Sequence, residues 1–182
     1  MAANFVGKVF IGSSLDGFIA RENGDLEWLT GTDLEMSETG YDEFFASVDA
    51  MVIGRNTYDT IAAFEEWPYG GKRVLVLSRT LTSVEGPQTS VHHDVDDAVA
   101  TLEAEGVKAV YVDGGKTIQE FLRRGLIGEI TISRAPVLIG SGIPLFGPLD
   151  ADVHLALKHT KDLGAGFVQS TYEVVGTGTG TA

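Results

Sequence analysis

The sequence predicts a three-layer α/β domain with a mostly parallel central sheet and an antiparallel C-terminal edge. Three observations predict it. Short apolar runs alternate along the chain with segments of helical spacing, the order expected of strand-helix-strand units. Runs such as "RVLVLS" (73–78) are unbroken in apolar character, the habit of strands buried on both faces of a parallel sheet. Near the end, "VHLALKHTKD" and "GFVQSTYEVV" flank "LGAG" and read as a hairpin. With 182 residues, 43% of them hydrophobic, the chain is long and apolar enough for one well-packed domain. That domain is expected over residues 1–176. The Gly/Thr tail at 177–182 is low in complexity and is expected to fray.

Each element has its own signal. "KVFIGS" (8–13) reads as the first strand. "DEFFASV" (42–48) has amphipathic helical spacing and leads into a strand at "AMVIG" (50–54). A short helix fits 57–64, and "RVLVLS" follows as a strand. "DVDDAVATLEAEG" (94–106) has a capping aspartate, helical spacing and a terminal glycine. "KAVYVDG" (108–114) is a strand, "TIQEFLRRG" (117–125) a capped helix, and "EITISRAPVLIG" (129–140) a further strand.

Composition excludes several functions. Acidic residues outnumber basic ones 26 to 13, for a formal charge of −13, whereas nucleic-acid binding needs clustered Lys and Arg. The acidity serves solubility. Cysteine is absent, so disulfides, thiolate metal sites and cysteine nucleophiles are excluded. No window approaches the ~20 apolar residues of a spanning helix, and the first residues lack the pattern of a signal peptide. A soluble cytoplasmic protein is expected, with a small molecule rather than a membrane or nucleic acid as its partner.

Ligands of open α/β sheets bind beyond the carboxyl ends of the strands, and three such ends here are unusual. The first is Gly54-Arg55-Asn56-Thr57. Glycine permits close approach to the backbone, Asn or Thr can cap the next helix, and the N–H groups of a helix start attract phosphate. Arg55 adds a fork suited to phosphate oxygens. The same residues also read as a tight turn with a solvated arginine. The second is Gly114-Gly115-Lys116-Thr117, a glycine pair before a helix. It reads as a second phosphate cradle or as a plain turn. At the third, Ser78 and Arg79 stand where a carboxylate would meet the ribose of NAD. An arginine suits the extra phosphate of NADP instead. None is a G-x-G-x-x-G fingerprint. "GGKT" is not a P-loop either, because Val110 stands where that loop needs glycine.

Together these residues resemble the dihydrofolate reductase superfamily. They are most similar to the C-terminal reductase domain of the bacterial riboflavin-biosynthesis deaminase/reductase and its stand-alone relatives, over roughly residues 5–175. The motifs are "SLDGFIA" (14–20), "DAMVIGRNTYDT" (49–60), "VLVLSR" and "VYVDGGKTIQEFL", with "APVLIGSGIPLF" (135–146) downstream. The resemblance implies a dihydrofolate-reductase-like fold and NADP(H) as cofactor. It implies that Gly54, Arg55, Asn56 and Thr57 cradle phosphate, and that Gly114, Gly115, Lys116 and Thr117 close over the other side. It places Ser78 and Arg79 at the adenosine 2′-phosphate, and Ile19 and Ala20 beside the nicotinamide. A homodimer is a further implication. No deaminase domain is expected in this chain.

Reducing a C=N or C=O bond needs a proton as well as a hydride, and a carboxyl group with a raised pKa can help deliver it. Asp33, five positions after Trp28, resembles the placement of the substrate-binding acid in dihydrofolate reductases, although the surrounding residues do not match. Its other reading is a helix N-cap. Asp16, in "SLDG", resembles an aspartate near the substrate in riboflavin-type domains. It also reads as a turn residue bonded to its own backbone. Trp28 and Trp67 read as packing residues. No metal site is expected, since His92 and His93 diverge along an extended chain and no H-E-x-x-H occurs. The expectation is an NADPH-dependent reductase of a small pterin- or pyrimidine-like heterocycle. Its rival is a regulatory protein that binds NADP(H) on the same fold without turnover.

Overall fold

The computed structural model describes residues 3–178. The first half contributes β1 (Val6–Ser13), β2 (Phe18–Ala20), α1 (Glu27–Thr30), a 3-10 turn (Met36–Thr39), α2 (Tyr41–Ala46), β3 (Ala50–Gly54), α3 (Arg55–Ala62) and β4 (Arg73–Leu77). The second contributes β5 (Thr89–His92), α4 (Val95–Ala104), β6 (Ala109–Asp113), α5 (Gly115–Arg123), β7 (Ile127–Arg134), β8 (Ile143–Pro144), β9 (Asp152–Gly164) and β10 (Phe167–Gly178). The main sheet runs β5-β4-β3-β6-β1-β7-β10-β9. Its first six strands are parallel, and β10 and β9 join antiparallel. This is the expected three-layer, dihydrofolate-reductase-like architecture.

Alternation along the strands divides the core. Val9, Val52, Val110, Val112 and Ile130 face α4 and α5, where Leu102, Ile118 and Phe121 cover them. Met51, Ile53, Val76 and Tyr111 face the other way, under Phe44 of α2 and Tyr58 and Ile61 of α3. Because both faces are covered, Ala50 to Ile53 are wholly buried, which is why β3 reads as a continuous apolar run. A third cluster joins Ala135, Leu163 and Phe167 to Trp28, Leu29 and Leu34, so the segment after β2 packs against the tip of the β9–β10 hairpin.

Several boundaries differ from expectation. The strand expected at 129–140 is β7, which ends at Arg134. The Ala135 N–H donates to Ser13 O, and then Pro136, which has no N–H, takes the chain out of the sheet. The short ribbon of β2 and β8 and the edge strand β5 were not anticipated as strands. At the other end β10 continues to Gly178, paired with Asp152 of β9. The remainder of the expected tail lies outside the described residues.

Phe121 is the largest wholly buried side chain where α5 meets the sheet. Phe121→Ala should cost about 3–5 kcal/mol, because the cavity cannot collapse between a helix and a two-sided sheet. Urea unfolding at equilibrium measures it.

Candidate functional site

The parallel pairing of β3 with β6 sets Ile53 opposite Asp113, so both strands end side by side in glycine. Each glycine passes directly into a helix. Gly54 is the N-cap of α3 and Gly114 the N-cap of α5, and neither helix has a side-chain cap. The expected helix starts at 57 and 117 are corrected to Arg55 and Gly115. Asn56 and Thr57, and likewise Lys116 and Thr117, lie in the first turn and do not cap it. Their backbone N–H groups point out of the first turn, as at every helix start.

The two turns interlock. A Cβ on Gly114 would lie 3.0 Å from Thr57 Oγ1 and 3.6 Å from Gly54 N, and a Cβ on Gly54 would lie 2.9 Å from Thr117 Oγ1. Gly114 also has φ 98°, a conformation that disfavours side chains. Side-chain-free backbone from adjacent strands thus forms one concave lip between two helix N-termini, a surface suited to an anion. Arg55, Asn56 and Lys116 are exposed at its rim.

The third strand end joins the same edge. Arg55 donates from Nη1 to Thr80 Oγ1 at 2.8 Å and pairs through Nε with Asp59 at 3.3 Å. Buried Ser78 accepts the N–H groups of Thr80 and Leu81 at Oγ, holding 78–81 as a tight turn with exposed Arg79 near its tip. On the other side, the β2–β8 ribbon roofs α5. A Cβ on Gly115 would meet Pro144 O at 3.1 Å and Ile19 Cδ1 at 3.2 Å. Ile19 therefore lies against the glycine lip, with buried Ala20 next to it on β2. The candidate cofactor residues read from three separate motifs converge on one edge.

The two candidate carboxylates differ. Asp16 accepts from Ser14 Oγ at 2.6 Å, from Ile139 N at 3.2 Å and from Gly140 N at 2.8 Å. The Ser14 hydroxyl and these amides hold its carboxyl below the ordinary range despite some desolvation. It clamps the 14–18 turn to the segment leading into β8. Asp33 is exposed in the segment between α1 and the 3-10 turn, and no cap is formed there by its side chain. Trp28 and Trp67 both pack as expected, and the Nε1 of each is buried without a partner.

A third carboxylate was missed. Asp113 ends β6 immediately before the glycine pair. Desolvation pushes its pKa up to about 6, opposed by the Gly114 N–H, which donates to it at 2.9 Å. Its charge is felt by Tyr41 of α2, by Tyr69 in the turn before β4 and by Tyr111 two residues earlier on β6. The sequence signal was the acid in "VDGG", at the carboxyl end of a strand buried on both faces. A separate open groove of about 410 Å³ lies at the opposite end of the sheet, near Phe5, Val6, Leu126 and Val175. It is remote from all of these groups.

An α/β sheet with two interlocked glycine strand ends and an antiparallel hairpin defines a domain of dihydrofolate-reductase type. The chain belongs to the RibD C-terminal domain family, which it matches over residues 7–169. It is 33% identical to the uncharacterized protein YwjB of Bacillus subtilis over 159 residues, 86% of this chain and 91% of YwjB. It superposes with TM-score 0.81 and 37% identity on a Shewanella sp. PV-4 protein provisionally named for riboflavin biosynthesis, covering 93% of this chain and 99% of that one. A Thermotoga maritima diaminohydroxyphosphoribosylaminopyrimidine deaminase/5-amino-6-(5-phosphoribosylamino)uracil reductase shares the fold at 16% identity and TM-score 0.67. There the match covers 94% of this chain and 57% of the longer protein. Family and fold support a reductase in general terms. Among the described residues, no helix is long and apolar enough to cross a membrane.

Asp113 makes stability depend on pH. The unfolded chain releases this proton near 3.8, the folded chain near 6. Between those values the folded state binds more protons, so stability falls as pH rises and stays reduced above about 6. Asp113→Asn should therefore be more stable than the parent at about pH 8, by about 1–3 kcal/mol, with the advantage gone below about pH 4. Thermal melts at both pH values measure it. An equal difference at the two would mean that the carboxyl is not desolvated.

Proposed function

We propose that the chain is an NADPH-dependent reductase acting on a small pterin- or pyrimidine-like heterocycle. The observation that carries this reading is the glycine lip, whose backbone a single Cβ would obstruct. Gly54, Arg55, Asn56 and Thr57 on one side, and Gly114, Gly115, Lys116 and Thr117 on the other, would hold the pyrophosphate. Ser78 and Arg79 would meet the adenosine 2′-phosphate, and Ile19 and Ala20 would border the nicotinamide. When bound, NADPH supplies the hydride. The pyrimidine named for the Thermotoga relative supports the substrate class.

The protein's own part is proton placement and orientation. Asp113, with a pKa of about 6, holds a proton over much of the range in which a general acid is useful. Asp16 stays ionised and fully hydrogen-bonded, so it serves by positioning the ribbon that carries Ile19. Asp33, exposed on the segment after β2, is the candidate partner for a polar edge of the substrate. The hairpin supports a homodimer: β9 is the open edge of the sheet, and Leu155, Leu157, Val168 and Val175 are exposed along the pair.

Fluorescence titration with NADPH and NADH, followed by a heterocycle screen, tests the proposal. Arg79→Ala should weaken NADPH roughly ten- to a hundredfold and spare NADH, whereas Arg55→Ala should weaken both. Unchanged affinities in both variants would remove the assignment. Tight binding without turnover across a broad panel would favour the regulatory rival. Light scattering should return twice the chain mass, and a monomer at working concentration would refute the dimer.

A further inference from the structure

We propose that His93 is an additional ligand of the adenosine 2′-phosphate, and that it makes the preference for NADPH over NADH depend on pH. The inference rests on the cofactor reading above and adds a residue that neither family motif nor strand-end pattern singled out.

β5 lies parallel to β4, and the Ser78 N–H donates to His92 O at 2.9 Å, one rung beyond the end of β4. The two adjacent histidines then part. His92 turns inward, with Nδ1 2.8 Å from the Asp97 carboxylate and Nε2 2.8 Å from Ser90 Oγ. His93 is exposed, and its Nδ1 lies 2.9 Å from Ser78 O. A carbonyl oxygen can only accept, so Nδ1 carries the hydrogen. That leaves Nε2 on the far side of the ring, away from the backbone. In the neutral ring this Nε2 is an acceptor and repels a phosphate oxygen. Only the imidazolium can donate from it. Phosphate binding at His93 therefore requires the imidazolium form.

The surroundings fit such a role. Arg55 from α3 bonds Thr80, Arg79 sits in the turn itself, and His93 from the β5–α4 connection bonds Ser78. Three cationic or protonatable side chains from three elements thus meet one four-residue turn in a chain of charge −13. The acidic groups on the packed elements are each engaged, and only Asp59 offsets a cation of this cluster. Asp59 pairs with Arg55, Asp97 with His92, and Asp94 accepts the Asp97 N–H as the cap of α4. Among the described residues Arg79 has no ion pair.

His93→Asn tests the proposal, because its amide keeps an N–H for Ser78 O and never carries charge. His93→Ala removes both. Calorimetry with NADPH, NADH and 2′,5′-ADP at about pH 6 and about pH 8.5 gives the readout. At the lower pH, His93→Asn should lose about five- to tenfold in affinity for NADPH and 2′,5′-ADP. At the higher pH it should match the parent, with NADH unaffected throughout. The 2′-phosphate gains its second charge over the same range, so the difference between parent and variant carries the result. Equal affinities of parent and His93→Asn at about pH 6 would overturn the role. So would an equal loss for NADH and NADPH, which would mean that His93 only supports the turn. If the parent binds NADH as tightly as NADPH, His93 and Arg79 lose their roles while the glycine lip keeps its own. If the parent binds neither dinucleotide, the cofactor reading itself fails.

Discussion

Gly54 and Gly114 meet because β3 and β6 are parallel neighbours that end at the same level. Parallel pairing obliges both strands to deliver their helices at one edge of the sheet, and here the two helix starts are close enough for each first-turn threonine to face the other's glycine. A side chain at either position would push the turns apart. The width of the lip is thus set by the absence of two Cβ atoms, held by wholly buried β3 below. Neither N-terminus spends its N–H groups on a side-chain cap, so both remain available to a ligand.

Electrostatics at that edge is locally opposite to the chain as a whole. Arg55, Arg79 and Lys116 stand at the rim of a strongly acidic protein. Asp113 stands beneath them, yet burial disfavours its charge, so below about pH 6 it is largely neutral and adds little repulsion toward an anion. The coupling runs both ways: negative charge in the lip would push Asp113 further toward its protonated form. An acid at this place is therefore better supplied with its proton when the edge is occupied than when it is empty.

Much of this was legible in the sequence, for a physical reason. Strands buried on both faces must be apolar throughout, so β3, β4 and β6 are visible as runs. Glycine at the ends of β3 and β6 is visible because a side chain there would crowd the facing turn. The helix starts were misplaced by two residues for the same reason, since a glycine N-cap leaves no Ser, Thr, Asp or Asn signal. The β2–β8 ribbon has too few residues to show a period of two. Asp16 and Asp113 were harder, because a carboxylate's role depends on what surrounds it. The amides that hold Asp16 come from Ile139 and Gly140, more than a hundred residues away. The tyrosines near Asp113 come from three separate stretches of chain.

The hairpin connects this edge to the rest of the molecule. Buried Gln169 donates to Thr39 O at 2.9 Å and to Ser133 Oγ at 3.0 Å, and Lys161 donates to Glu38 O at 2.8 Å. These bonds pin the far end of the segment that follows β2. Its near end is pinned by Leu29, which occupies the space over Gly12 so closely that a Cβ there would come within 2.7 Å. Asp33 lies between the two anchors, exposed but on a short tether. A segment fixed at both ends can adjust to a ligand only within its own slack. The hairpin is therefore more than an edge to the sheet: the polar side chains of Lys161 and Gln169 anchor one end of the segment that carries Asp33.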